Sequence, residues 1–283
     1  MLTITTIEEI KKWRNDFQEK HPRKKIGFVP TMGFLHRGHL SLIQKAKETA
    51  DIVVVSIFVN PIQFNDKKDF EAYPIDLQND KALLSDLKVD ILFAPSKDEI
   101  YGSGNPEIII DYPSYTNVMC GKNRPGHFQG VLYIVHNLFQ YVRPHSAVFG
   151  LKDYQQYLLI KKMTEELAFD IDIIAADLMR EENGLALSSR NARLSKEGIE
   201  KALQISKALF LAKEVWENNK NTTAGEIKTI LFEKMKNLEI EYASVYNSEI
   251  LQEFNEEETF HRAVIAVAVY IENVRLIDNV ILE

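Results

Sequence analysis

From residue 26 to residue 176 the chain alternates short β-branched runs with longer segments whose apolar residues recur at spacings of three and four. Ile26 to Pro30, Ile52 to Val59, Ile91 to Ala94, Ser146 to Gly150 and Ile171 to Ala176 read as strands. His39 to Ala50, Leu77 to Leu87, Gly130 to Val142 and Tyr154 to Ala168 read as helices. Strands that are hydrophobic on both faces belong to a buried parallel sheet, so the pattern predicts a Rossmann-like α/β fold with helices on both faces. Right-handed crossovers place the strand-to-helix loops along one sheet edge, where open α/β folds bind their ligands.

After about residue 184 the texture changes. Ser195 is placed to cap a long helix running through Trp216, and Thr223 with Glu226 forms a capping box for a second helix to Leu238. Ile240 to Tyr246, Ala263 to Ile271 and Leu276 to Ile281 read as strands of a small antiparallel or mixed sheet. The expected organisation is a Rossmann-like domain over residues 1–182 and a smaller α+β domain over 183–283, with a hinge near 177–186.

Composition removes several function classes. With 34 Lys and Arg against 41 Asp and Glu, the net charge of −7 offers no basic field to hold nucleic acid by counterion release. Cys120 is the single cysteine, which rules out an intramolecular disulfide and argues against a thiolate zinc cage; cytoplasm is the expected compartment. The longest apolar runs, Ile52 to Val59 and Ala263 to Ile271, are far shorter than the roughly 20 residues of a membrane-spanning helix. The opening MLTITTIEEIKKWR has no secretory pattern.

Chemistry concentrates in Val29 to Leu40, which runs from the first strand through Gly33 into a helix. His36 and His39, three residues apart, are expected on one face of the first helical turn, beside unpaired backbone amides and the positive end of the helix dipole. That field disfavours imidazolium, so two neutral N–H donors facing an anion are the functional reading; two surface histidines or a metal pair are the plain ones. The Gly33 to Gly38 interval resembles a P-loop, but His39 stands where the phosphate-binding lysine belongs and no Ser or Thr follows. Gly102-Ser103-Gly104 lacks the third glycine and the helix of a dinucleotide fingerprint.

PTMGFLHRGH, SIFVNPIQF, RPGHFQGV, FGLKDYQQ and LALSSRN, in this order, closely resemble the motifs of the pantoate-β-alanine ligase family. That family belongs to the His-x-x-His nucleotidyltransferases, related in fold to class I aminoacyl-tRNA synthetases. The resemblance implies ATP-dependent joining of (R)-pantoate to β-alanine: a pantoyl adenylate forms with loss of pyrophosphate, and its opening by the amine releases AMP. It implies small-molecule partners only and a homodimer; Mg2+ is expected with ATP because one lysine and one arginine cannot fully offset the pyrophosphate charge, and protein ligands for the metal stay unknown.

The resemblance also implies residue roles. His36, His39 and Lys152 would be catalytic, the histidines as donors to phosphate oxygens. Met32, Gly38, Gly150, Asp153, Met179, Leu187, Ser188, Ser189 and Arg190 would join His36, His39 and Lys152 around ATP. Gln63 and Gln156 would hold pantoate, orienting its carboxylate without neutralising the nucleophile as a guanidinium would, and Gln63 would also serve β-alanine. Asn60 is expected to touch the ribose or a substrate loop, and Arg124 to Gly130 to pack near the pantoate pocket, with Val131 and Val135 toward its methyl groups. The second domain would act as a lid.

Arg37, Ile75, Asn137 and Leu151 depart from the expected residues, and Asp177-Leu178-Met179 replaces a proline-containing approach to the last nucleotide loop. Two other readings remain: a related adenylyltransferase of a coenzyme precursor, which would need a cationic acceptor pocket in place of the two glutamines, and a nucleotide sensor that binds without turnover.

Overall fold

The structure, a computed structural model, describes every residue except Asp66 and Asn105. The chain divides into two compact units, the first comprising Met1–Tyr112, Arg124–Leu151 and Gln156–Asp177, the second Pro113–Asn123, Lys152–Gln155 and Leu178–Glu283.

The first unit is built on a parallel sheet of six strands: β1 (Leu2–Ile4), β2 (Ile26–Thr31), β3 (Ile52–Ile57), β4 (Ile91–Phe93), β5 (Ser146–Gly150) and β6 (Asp172–Ala176). Their order is β1-β4-β3-β2-β5-β6. The chain winds outward from β2 through β3 to β4 and then returns to the other side of β2 for β5, so strand order reverses between β2 and β5. In open α/β sheets that reversal opens the ligand crevice at the carboxyl ends of the two strands. Here those ends lead to Met32 and to Leu151. The helices Arg37–Thr49, Leu77–Asp86, His127–Val142 and Tyr154–Glu166 match the expected apolar periodicity.

The first strand and the first helix of the chain are among the elements that the periodicity reading leaves out. Leu2–Ile4 pairs with Ile91–Phe93 as an edge strand, and Ile7–Lys20 is a helix capped by Thr6, whose Oγ accepts the Glu9 amide at 3.2 Å. The Thr6-x-x-Glu9 spacing is itself a capping signal, one that a search of this stretch for a secretory pattern does not use.

The second unit centres on an antiparallel sheet ordered β7-β8-β9: β7 (Glu239–Asn247), β8 (Ala263–Ile271) and β9 (Val274–Leu282). Ser195 caps the helix Lys196–Asn218, and Thr223 and Glu226 exchange side-chain and backbone hydrogen bonds at the start of Ala224–Lys234, as their spacing predicts. These helices cover one face, where Ala243, Val245, Ile265, Val267, Val269, Leu276 and Val280 join Trp216, Leu209 and Leu231 in the core. Residues of opposite parity on β8, Val264, Ala266 and Ala268, are buried as well. On that second face Tyr242 of β7 meets the Cys120 sulfur at 3.1 Å, and Glu241 accepts from Arg275 Nε and NH2 at 2.9 and 2.6 Å and from Asn123 Nδ2 at 3.1 Å.

The turn after β2 depends on one buried carboxylate. Asp80, 1% exposed on the helix Leu77–Asp86, accepts the Phe34 amide at 2.9 Å and the Leu35 amide at 2.7 Å. Gly33 turns with φ +80°, and a Cβ there would lie 2.9 Å from both Asp80 Oδ2 and the Ile57 side chain, so only glycine fits. Burial raises the Asp80 carboxyl above its ordinary range, opposed by the two amides.

Asp80→Ala should lower stability by about 2–3 kcal/mol in urea unfolding, the scale of stranding buried donors that had a charged acceptor; an unchanged midpoint would reject the clamp. Glu241 titrates below its ordinary value: burial alone would raise it, but the hydrogen bonds and charge of Arg275 outweigh that. Its contribution is therefore present above the ordinary carboxylate range and is lost as pH falls through the depressed value. Glu241→Gln should cost about 3 kcal/mol at neutral pH and flatten stability against pH in that acidic window, measured by denaturant melts at several pH values.

Candidate active site

The first site element is the start of the helix Arg37–Thr49. His36 is its N-cap, in extended backbone at φ −136° and ψ 174°, so it stands outside the helix and not on the first turn as expected. Its Nδ1 accepts the Gly38 amide at 3.1 Å, and the Nδ1 of His39 accepts the His36 amide at 3.4 Å. The two rings lie 4.1 Å apart between centroids. A backbone N–H can only donate, so both Nδ1 atoms must be unprotonated, and each neutral ring carries its proton on Nε2. The two rings thus replace the usual Ser/Glu pair of a capping box, and capping fixes their tautomers. Arg37 between them is exposed.

The second element is the single 3-10 turn Pro61–Gln63 after β3. Asn60, 1% exposed, donates through Nδ2 to the Gly130 carbonyl and to Gln63 Oε1, both at 3.0 Å, and accepts from the Tyr101 hydroxyl. The Gly130 carbonyl can only accept, which fixes the Asn60 amide; Asn60 then fixes the oxygen of Gln63, leaving Gln63 Nε2 to donate to the Met32 sulfur at 3.0 Å. Asn60, expected to touch the ribose or a substrate loop, thus has both hydrogens of its amide bonded within the protein, one of them on Gln63 of the turn. Its amide is consumed in orienting Gln63.

Arg124 to Gly130 braces the same turn. His127 Nδ1 donates to the Gln63 carbonyl at 2.7 Å, while Arg124 NH1 lies 3.0 Å from His127 Nε2 and Arg124 NH2 3.4 Å from that carbonyl. The carbonyl and the guanidinium together require the Nδ1–H tautomer of His127. Gly130 lets the helix His127–Val142 approach closely, since a Cβ there would stand 2.8 Å from the Ile62 carbonyl oxygen. Val131 and Val135 are buried on this helix. The RPGHFQG motif thus acts on Gln63 through backbone support, which residue type alone did not reveal.

Two adjacent glutamines open the helix Tyr154–Glu166 in different surroundings. Gln155 is buried, accepting the Cys120 amide at 3.0 Å and donating to the carbonyls of Tyr115 and Val118 at 2.7 and 2.8 Å. Gln156 is half-buried and its amide has no hydrogen-bond partner among the described residues. Gly150 ends β5.

In the second unit, Lys152 and the exposed Asp153 lie in the one-turn helix Leu151–Asp153, with Lys152 Nζ 3.6 Å from Asp153 Oδ2. Residues 179–187 form a narrow hairpin in which Leu187 N donates to the Met179 carbonyl at 3.0 Å and Arg180 bridges to Ala186. Met179 exposes 41% of its surface and Leu187 is buried. Ser188 caps the turn Ser189–Arg193, its Oγ accepting the Arg190 amide at 3.2 Å. Ser189 and Arg190 follow on that turn, both half-buried. Of the departures, Ile75 is 72% exposed, Asn137 lies beside His136 with Oδ1 3.1 Å from Nδ1, and Leu151 is half-buried. Among the described residues no group of three His, Cys, Asp or Glu is placed to hold a metal.

The chain matches the family described as pantoate-beta-alanine ligase over residues 2–281. It is 42% identical over 291 residues to the pantothenate synthetase of Thermotoga petrophila, covering all of both chains. With that of Acetivibrio thermocellus it shares 43% over 286 residues, again end to end. A crystal structure of pantothenate synthetase from Thermus thermophilus superposes with a TM-score of 0.89 at 38% identity, covering 99% of each chain. A Francisella tularensis pantoate-beta-alanine ligase, described as complexed with beta-gamma ATP and beta-alanine, gives 0.80 at 38% identity, covering 99% of this chain and 97% of the other. With matches this complete at both sequence and fold, the chain belongs to the pantoate-β-alanine ligase family.

Proposed function

We propose that this protein joins (R)-pantoate to β-alanine at the expense of ATP, through a pantoyl adenylate, releasing pyrophosphate and AMP. The observation that carries the reading is the tautomer-locked histidine pair at a helix N-terminus, in a chain that matches the ligase family over nearly its whole length. A pantoate carboxylate oxygen bonds to the α-phosphorus as the α–β bridging bond breaks. Negative charge then builds on the equatorial oxygens and on the leaving pyrophosphate. The Nε2–H groups of His36 and His39 meet that charge as preorganised donors, with no proton transfer required.

Lys152, Ser188, Ser189 and Arg190 supply charge and hydroxyls for the β- and γ-phosphates, Arg190 through a planar fork and Lys152 as a flexible point charge. Met32, Gly38, Gly150, Asp153, Met179 and Leu187 complete the nucleotide's surroundings. Gln63 turns its NH2 toward pantoate because Asn60 holds its oxygen, and Gln156 adds a second uncharged donor. Neutral amides orient the carboxylate and leave its nucleophilicity intact. In the second step the amine of β-alanine, aided by the remaining lone pair of Gln63 Oε1, attacks the acyl carbon and expels AMP.

Mg2+ would accompany ATP on the nucleotide's own phosphates and neutralise pyrophosphate charge that Lys152 and Arg190 alone do not offset. No helix among the described residues is long and apolar enough to cross a membrane. A homodimer and a cytoplasmic location complete the reading.

Purified protein given ATP and magnesium should release pyrophosphate only with pantoate, and AMP should accumulate only when β-alanine follows. Faster turnover of a phosphate-bearing acceptor would favour an adenylyltransferase, and ATP binding without AMP formation a sensor. His39→Ala and Lys152→Ala should each slow turnover by about 100-fold or more with the fold retained by circular dichroism, the scale of losing one preorganised donor. Full activity in His39→Ala would remove the histidines from the mechanism.

A further inference from the structure

Strand β9 carries a charge where its pattern calls for a hydrophobe. Val274, Leu276, Val280 and Leu282 face the helix-covered core of the second unit, and Asp278 has the same parity. It is 4% exposed. Arg180 answers it with a two-pronged bond, NH1 to Oδ2 at 2.7 Å and NH2 to Oδ1 at 2.8 Å, while NH1 also reaches the Gly184 carbonyl at 3.0 Å and the guanidinium stacks 4.8 Å from the centre of the Phe210 ring. Asn279 has the opposite parity, and its Nδ2 donates to the main-chain carbonyl of Lys152 at 3.0 Å. Burial pushes the Asp278 carboxyl up from its ordinary range, with Arg180 and then Lys152 pulling against it.

Burying such a pair in a core face carries a large desolvation cost, and well-packed apolar residues often serve stability as well or better. Stability alone therefore gives no reason for it. What the pair accomplishes is geometric. One side of β9 grips the base of the Met179–Leu187 hairpin, and the next residue grips the Lys152 turn from the other side.

We propose that Asp278 and Asn279 are positioning residues for ATP, fixing the Lys152 turn and the Met179–Arg190 segment to one rigid strand so that both address the same nucleotide. The inference rests on the proposed role of Lys152 toward the phosphates. Neither Asp278 nor Asn279 touches substrate in this scheme. They act through the backbone of Lys152 and through the guanidinium of Arg180.

The test is a double-mutant cycle on pantoate-dependent pyrophosphate release, with Lys152→Ala, Asn279→Ala and the double variant. Asn279→Ala leaves the buried Arg180 to Asp278 pair intact, so thermal unfolding should stay close to that of the parent protein. It should nevertheless lower kcat by about 10- to 100-fold, the usual cost of slightly misplacing a catalytic group. The double variant should be no slower than Lys152→Ala alone, because Asn279 has nothing left to position. Multiplying losses, or parent-like kcat in Asn279→Ala, would overturn the proposal, whereas full activity in Lys152→Ala would instead overturn the role of Lys152. Asp278→Asn gives a second reading: if it folds, the KM for ATP should rise more than that for pantoate. An equal rise in both would count against the proposal.

Discussion

Backbone amides at the head of a helix must find acceptors, and in this protein two imidazole nitrogens take up that need. The bonds from the Gly38 and His36 amides decide which nitrogen of each ring is bare and which carries hydrogen. The chemistry available at the site follows from this assignment. Protonating either Nδ1 would set two N–H groups against one another and break the cap, so the helix start itself resists conversion to imidazolium. The Asp80 carboxylate fixes the turn leading into the cap. Positioning therefore passes from a buried carboxylate, through two amides and a glycine, to a pair of ring protons.

The same logic of orientation by backbone recurs around Gln63. A main-chain carbonyl at Gly130 settles which way the Asn60 amide faces, and Asn60 settles Gln63. An uncharged side chain that must present one chosen end to a substrate needs such a chain of dependence, because an amide is nearly symmetric in shape and opposite in polarity at its two ends. The RPGHFQG segment adds His127 and Arg124 to the Gln63 carbonyl, so Gln63 is held through both its main chain and its side chain.

Much of this was legible in the sequence. β-branched runs and apolar spacing identified β2 to β6 of the large sheet and its main helices, because burial on both faces leaves little latitude in residue type. Thr223 with Glu226, and Ser195, announced helix starts because capping chemistry is local. The edge strand Leu2–Ile4 was missed: three residues paired on one side carry too short a pattern. Asp80 and Asn279 were missed for another reason, since their partners lie 45 and 127 residues away and no local spacing announces them. The inward bonds of Asn60 to Gln63 and Gly130 are likewise invisible locally, because residue type records that an amide has bonds to make and not where they point.

The division of the chain bears on how the protein can be cut and assembled. The sheet formed by β7, β8 and β9 has helices on one face, but on its other face Tyr242 meets Cys120 and Glu241 meets Asn123, and just past the end of β7 Tyr154 donates to the Ser248 carbonyl at 2.7 Å. Those partners come from segments 113–123 and 152–155, which interrupt the sequence of the first unit. A fragment beginning at residue 178 would therefore leave buried tyrosines and Arg275 without part of their cover. The unit is a woven object, not a removable module, and in a growing polypeptide its early strips must wait for the strands that come later.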